Sequence, residues 1–415
     1  MKSKQQFSVI NLSQQPKLYP DTGIVYSTSD VLPFGSDNLF PQALALLLRT
    51  SPNHRGIINS KTNYFCGSGI VSSDEKIQLP IITKANDEEN LIQVAEKCFF
   101  DFNSFGNAYI EIITDNKNSF IWFNHIDATK VRKVREDFDK GEIDQIITHP
   151  NWPSDIGKSD NRREYLNLYP NWEVVKNEYG IKVKRCVYHF KDYEPEFTEY
   201  GIPCYIAGKD AASIDFKTNK WNLSRLENSF RVSGILVVPV ADETEGSKVL
   251  KNIESSKIGE GNNAKLLTIA KTRARENEKA DTTQLIETKQ DDDGSWINLH
   301  SQAISDLIVS HGWYRSLSGI ADNTGFDTQR ILNEYSVALN TTILKTQAKF
   351  TDFVNKIFIE LQNKECLIKF VNKAPLEDYS YHYIWEVRKL KGLPYNENDP
   401  AQQVLITPTA PKIKA

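Results

Sequence analysis

Apolar residues fall at helical spacing in several stretches of the chain and alternate with polar ones in between. Over 42–63, Leu44, Leu47, Leu48, Ile57 and Ile58 lie on helical stripes with Pro52 between them, which predicts two short helices or one broken at the proline. A further helix is expected from Asp87-Glu88-Glu89, acidic as a helix N-terminus prefers. It places Leu91, Val94, Ala95, Cys98 and Phe102 on one face and stops at Gly106, a left-handed cap. Residues 108–113 and 120–123 alternate as strands around a turn at Asp115 and Asn116. Short strands with proline and glycine turns continue through 137–200, most clearly at 183–190.

The second half repeats helices in an unusual order. Leu223, Leu226 and Phe230 mark a helix over 219–231, and 297–311 reads as another, with Ile297, Ala303 or Ile304, Leu307 and Ile308 on its stripe. Between them, a short buried strand (234–239), a small helix (246–258) and a second strand (264–270) form a compact α/β module. After Gly312 come fourteen small, polar and turn-forming residues, 313–326, long for a connection without structure of its own. A helix over 327–362 follows with no proline or glycine, long enough to span about 54 Å. Its stripe holds Ile331, Tyr335, Leu339, Phe350, Phe353, Ile357 and Leu361. Residues 1–40 read as an extended, turn-rich arm, and the stretch after Pro394 as a tail.

Composition narrows the function more than it names it. The 415 residues allow about two to four domains, and 40% hydrophobic with 25% charged residues is globular. Fifty Lys and Arg against 54 Asp and Glu leave a net charge of −4, which argues against a protein that wraps nucleic-acid phosphates. No apolar run approaches the roughly 20 residues of a membrane span, and the N-terminal residues lack the apolar stretch of a signal peptide, so folding in a cytoplasm is expected. The five cysteines (Cys66, Cys98, Cys186, Cys204, Cys366) form no CxxC pair and are expected to be buried thiols. There is no phosphate loop, nucleophile elbow, dinucleotide fingerprint or HExxH, so neither cofactor nor metal nor catalytic residue is expected. Asp291-Asp292-Asp293-Gly294 lacks the alternating ligands and twelfth-position glutamate of a calcium loop, since that position is Gln302.

Several segments, taken in order, resemble the portal protein of tailed bacteriophages, in the family typical of long-tailed phages. Phe105-Gly-Asn-Ala-Tyr-Ile-Glu111 is similar to the family's Gly-Asn-Ala-Tyr segment. Phe123-Asn-His-Ile-Asp-Ala-Thr-Lys-Val131 resembles its Leu-x-Pro strand and turn without the proline. Tyr200-Gly-Ile-Pro203 sits where the family has Tyr-Gly-x-Ser-Pro. Phe230-Arg-Val-Ser-Gly-Ile-Leu236 resembles its Pro-Ser-Gly-x-Leu strand, with Val232 for proline. Residues 304–320 resemble its Phe-Gly-Val-Pro-Pro-x-Leu-Leu-Gly passage, with Gly312, Leu317 and Gly319 in register and Trp313, Tyr314 and Arg315 replacing Val-Pro-Pro. Tyr383-Ile-Trp-Glu-Val-Arg388 through Gly392-Leu-Pro394 is similar to the closing segment. The match runs over residues 45–395.

The resemblance implies an α+β portal fold: N-terminal arm (1–40), mixed α/β wing (41–214), stem helix (215–231), small α/β clip (232–296), second stem helix (297–312), tunnel loop (313–326), long helix with wing return (327–377), and a short C-terminal crown with tail (378–415). It implies a homo-oligomeric ring of about twelve subunits at one capsid vertex of the virion, assembled in the host bacterial cytoplasm. Through it double-stranded DNA passes without sequence specificity. The partners implied are the terminase large subunit, head-tail adaptors, and the major capsid and scaffolding proteins; neither a membrane nor enzymatic activity is implied.

The tunnel-loop candidates are Arg315, Ser316, Leu317, Ser318, Ile320 and Asn323. Arg315 is read either as a transient phosphate contact or as a solvated loop arginine; Leu317 and Ile320 could instead present an apolar tip. In the charged run 271–293, Lys271, Arg273, Arg275, Glu276, Asp291 and Asp292 are candidates for partner docking, against the plainer reading of a solvated face. Two alternatives stand beside the portal: another virion connector or capsid-associated structural protein, and a carbohydrate-acting enzyme on a mixed α/β scaffold, suggested by seven tryptophans.

Overall fold

The computed structural model describes residues 30–74, 76–134, 144–152, 161–176, 180–227, 234–240, 267–272, 284–287, 293–320, 328–376 and 382–406, with a few isolated positions over 244–251. The architecture is a mixture of helices and small sheets. Helices α1 (Phe40–Thr50) and α2 (Pro52–Cys66) are separate, because Ser51 is extended and its hydroxyl accepts the His54 N–H as the N-cap of α2. A single turn, α3 (Pro80–Thr83), precedes α4 (Leu91–Phe105). The acidic run 87–89 lies before α4, whose cap is a reciprocal box between Asn90 and Gln93. As expected, α4 ends at left-handed Gly106.

Strands β1 (Val31–Leu32) and β2 (Ile70–Ser72) are short. The sheet behind α4 has the order β4-β3-β9-β8, all antiparallel, from β3 (Asn107–Asp115), β4 (Ile121–Ile126), β8 (Glu173–Lys176) and β9 (Lys182–Lys191). Its central strand β3 is buried over nearly all its length, as a strand flanked on both edges and covered by a helix must be. A second sheet, β1-β5-β6-β7, adds β5 (Val131–Val134), β6 (Gln145–Thr148) and β7 (Glu164–Asn167).

The expected arm is therefore only partly an arm. Residues 1–29 lie outside the described residues, but β1 pairs with β5, and Phe34 stacks on Tyr200 with centroids 4.1 Å apart. Arg132, fully buried on β5, donates to the Asn38 carbonyl (2.7 Å) and to Gln42 Oε1 (3.0 Å) and lies over the Trp152 ring. Burial lowers its pKa to about 10 against the raising pull of Tyr200, Tyr109 and Asp37.

The helix expected over 219–231 begins ten residues earlier: α5 runs Lys209–Glu227. Its first half escaped notice because its buried positions are small or polar (Ala211, Ala212, Asp215, Thr218), not an apolar stripe. Strands β10 (Gly234–Val240) and β11 (Leu267–Thr272) pair in parallel, as a strand–helix–strand unit requires. The helix expected over 246–258 falls mostly outside the described residues. The charged run also hides a strand, β12 (Gln284–Glu287), antiparallel to β10. Helix α6 (Asp293–Ser310) returns to the sheets.

The long helix is helical from Thr328 to Gln362, as α7 (Thr328–Ala338) and α8 (Leu344–Gln362) joined by a π-helical stretch, Leu339–Ile343. There Asn340 and Thr341 donate to the Ser336 and Val337 carbonyls (2.8 and 2.7 Å), competing with the helix ladder. Strand β13 (Ile368–Phe370) pairs with β2, and α9 (Ile384–Leu390) follows. Phe350 and Phe353 of α8 pack with Phe99, Phe190 and Phe123, so α8 closes the core over β9 and α4. Of the five cysteines four are buried, whereas Cys204 is exposed, contrary to expectation.

Gly106 joins helix, strand and the 200–203 turn at close quarters. Its φ is +69°, and a Cβ there would stand 2.5 Å from the Ile202 carbonyl carbon. Gly106→Ala is expected to destabilise the chain by at least about 2 kcal/mol, visible as a lower urea midpoint; an unchanged midpoint would contradict this packing.

Candidate functional site

The place where chain direction and chemistry converge is the base of the α5–α6 hairpin. The helices are antiparallel and touch closely there: a Cβ on Gly208, just before α5, would lie 2.2 Å from Ser310 Oγ at the end of α6. Two turns further, Asp215 of α5 is completely buried. Its carboxylate accepts from Ser51 Oγ (2.6 Å), the Asn53 N–H (3.2 Å), Asn53 Nδ2 (2.7 Å) and His300 Nε2 (2.9 Å). Burial by itself raises its pKa, but the donors from Ser51, His300 and Asn53 outweigh it and hold the carboxyl below its usual range. One side chain thus ties both hairpin helices to the N-terminus of α2.

A second tie lies where α6 ends. His311 Nε2 stands 2.9 Å from His54 Nδ1, and both rings are buried. Tyr205 stacks on His311 and meets His54 edge-on, with centroids 4.8 and 4.4 Å away. Lys61 Nζ donates to the His311 carbonyl (3.1 Å) and lies 3.6 Å from Cys204 Sγ. Burial lowers the His54 pKa to about 3 against the raising pull of Asp215. Burial, with His54 and Lys61, pushes His311 well below its ordinary value.

From this anchor the chain enters the segment expected to be an unstructured loop, and its first eight residues are packed instead. Gly312 turns with φ +55°. Trp313 is buried beside Tyr64 and Phe65 and donates through Nε1 to Ser60 Oγ (3.2 Å). The same hydroxyl donates to the Leu317 carbonyl (2.7 Å). Ser316–Ser318 form a short 3-10 turn ending at left-handed Gly319.

Leu317 is a core residue, 6% exposed, so of the readings left open for this loop the apolar tip does not describe it: the 3-10 turn rolls it inward while Ser60 fixes its backbone. Ile320 is half-buried against the core. Arg315 is half-exposed and donates to Ser305 Oγ (2.8 Å). Ser316 donates from its backbone (3.3 Å) and its hydroxyl to Glu334 Oε2, and Arg330 holds the other oxygen of Glu334 (2.9 Å). Ser318 Oγ donates to the Tyr314 carbonyl (2.8 Å). Asn323 lies outside the described residues. Of the docking candidates, Lys271 sits on β11 opposite Pro239, and Arg273, Arg275, Glu276, Asp291 and Asp292 lie outside the described residues.

The structure therefore gathers Arg315, Ser316 and Ser318 at one turn and adds residues that spacing did not single out: His54, Lys61, Asp215, His311 and Glu334. Only Ser51-Pro52-Asn53, a helix-start signature, pointed toward this junction. Elsewhere a cleft of about 580 Å³ between α2 and α4 holds Glu89, Glu96, Lys97, Asp101 and His125. Asp101 accepts from His125 Nε2 (2.8 Å) and the Ala128 N–H (2.9 Å), and Glu89 pairs with Lys97 (2.5 Å), so two of its three carboxylates are engaged within the fold. No helix among the described residues is long and apolar enough to cross a membrane.

No family model matches the chain, and no curated protein matches it. Solved structures do. A chain of the virion of a native gene transfer agent particle superposes with a TM-score of 0.50 at 13% identity, covering 85% of this chain and 94% of that one. A chain of the neck of the native particle, computed with C12 symmetry, does so at 0.50 and 13%, covering 86% and 95%. This chain has the fold of a virion neck chain. An HK97-family phage portal protein from Corynebacterium diphtheriae aligns at a TM-score of 0.37 and 9% identity over 73% of this chain and 91% of its own.

Asp215→Ala removes the shared acceptor of four donors and leaves His300 and Asn53 unpaired. We expect a loss of about 2–4 kcal/mol at neutral pH, measured by urea unfolding. Because the folded carboxyl titrates below the unfolded one, its contribution is present above about pH 4 and vanishes as pH falls through the folded value. A variant whose deficit is unchanged at pH 2.5 would contradict this assignment.

Proposed function

We propose that the chain is a portal subunit: about twelve copies close a ring at one capsid vertex, and double-stranded DNA passes through it during packaging and ejection. The observation that carries this reading is the superposition on chains of a virion and its neck, which covers 85–86% of this chain and 94–95% of those. The sequence resemblance to portal proteins points the same way by a separate route. In this reading α5 and α6 are the stem, β10–β12 belong to the clip, the segment after Gly312 is the tunnel loop, and residues after 378 form the crown.

Two features of the chain agree with a ring. Leu223 of α5 and Ile297 of α6 are 54% and 65% exposed on the hairpin, surface that neighbouring subunits would cover. A net charge of −4 per chain multiplied by twelve gives about −48 for the ring, a wall that does not grip phosphates and so does not brake translocation. Arg315, which makes no ion pair among the described residues, supplies a sparse cation at the loop. The ring performs no catalysis itself. It offers its clip first to the terminase large subunit and then to head-tail adaptors, with capsid and scaffolding proteins around the wing.

Native mass spectrometry and negative-stain microscopy of the purified chain test this. About twelve chains of 47.4 kDa give a particle near 0.57 MDa, seen as a ring with a central channel. Monomers or dimers alone, with and without assembly partners, would refute it.

A further inference from the structure

The two imidazoles at the end of α6 are unusual in what they lack. One N–H lies between His54 Nδ1 and His311 Nε2. Two neutral rings carry two N–H groups, so the second must sit on His54 Nε2 or His311 Nδ1. Both of those nitrogens are buried without a hydrogen-bond partner among the described residues. The site thus tolerates an orphaned donor on one ring and an orphaned lone pair on the other, and it makes no provision for a third proton. The surrounding groups explain why. From α2, the Lys61 ammonium reaches the His311 carbonyl, so added positive charge would be repelled. From the turn before α5, Tyr205 covers both rings and Cys204 Sγ lies 3.9 Å from the His311 carbonyl. From α5, the carboxylate that acts on His54 is Asp215, already engaged by four donors, one of them from His300 of α6.

We propose that the His54–His311 pair is a proton-operated latch: with both rings neutral it pins the end of α6 to α2, and proton uptake by the imidazoles that opening brings into solvent favours the open form and frees residues 311–320. The mechanical link is direct. His311 precedes the Gly312 turn, and Trp313 and the Leu317 carbonyl both depend on Ser60, two turns along the same helix as His54. Opening at His311 would therefore loosen the turn carrying Arg315 and Ser316 while leaving the β3–β9 sheet intact. This device does not rest on the conduit reading; it belongs to the fold of the single chain.

Backbone hydrogen exchange of the full-length chain tests it, with rates corrected for the intrinsic pH dependence of exchange and read between about pH 7.5 and pH 5, above the range where Asp215 titrates. Protection over 303–320 is expected to fall about tenfold per pH unit below ~6.5 for each imidazole that opening exposes, with peptides of β3 and β9 unchanged. The double variant His54→Asn with His311→Gln keeps one short hydrogen bond and removes the titrating rings, so its protection should be flat with pH. His300→Gln, which alters the other histidine at the junction, should keep the transition. A flat profile in the wild type, a transition that survives in the double variant, or one abolished by His300→Gln overturns the proposal. Should the double variant fail to fold, exchange of the imidazole C2 protons in the wild type decides: His54 and His311 must gain exchange in the same pH window as the backbone of 303–320, and titration without backbone opening overturns the latch.

Discussion

Asp215 occupies a position on which the placement of everything beyond the sheet domain depends. A hairpin of two helices with a β module at its far end is a lever, and a small rotation at its base becomes a large displacement at its tip. Surface contacts are too weak to prevent that. A buried carboxylate that accepts from the N-terminal turn of α2 and from the facing helix α6 fixes the angle, because losing any partner leaves a polar group dry and unpaired. Gly208 allows the two backbones to come close enough for this geometry.

The same logic extends into the turn that follows α6. The turn is held in shape by embedding Trp313 and Leu317 in the core and hanging the polar residues between them on Ser305 and Glu334. Glu334 belongs to α7, on one side of the π-helical stretch, while the core-forming phenylalanines belong to α8 on the other, so the turn and the sheet domain are joined through the same long helix.

Much of the fold was legible before any coordinates. Pro52 marked the break between α1 and α2, Gly106 ended α4, alternation marked β3 and β9, and the β module was recognisable as an interruption between helices. What escaped notice shares one cause. The start of α5, β12 inside a charged run and the π-helical stretch all lack the apolar periodicity that signals an element, because their partners are small, polar or covered by something far away in sequence. Leu317 stayed undecided for the complementary reason: where an apolar residue among turn formers points depends on the wall it packs against.

Local chemistry along the chain sufficed to determine where most helices and strands lie, the order of parts, the near-neutral charge and the want of catalytic signatures, since these depend on neighbours a few residues away. The junction was decided only by tertiary structure. His54 and His311 are 257 positions apart, and Ser51 and Asp215 are 164. No spacing rule relates residues at such separations. Their protonation, their pairing and their hold on the hairpin arise from burial, which exists only once the chain has closed around them.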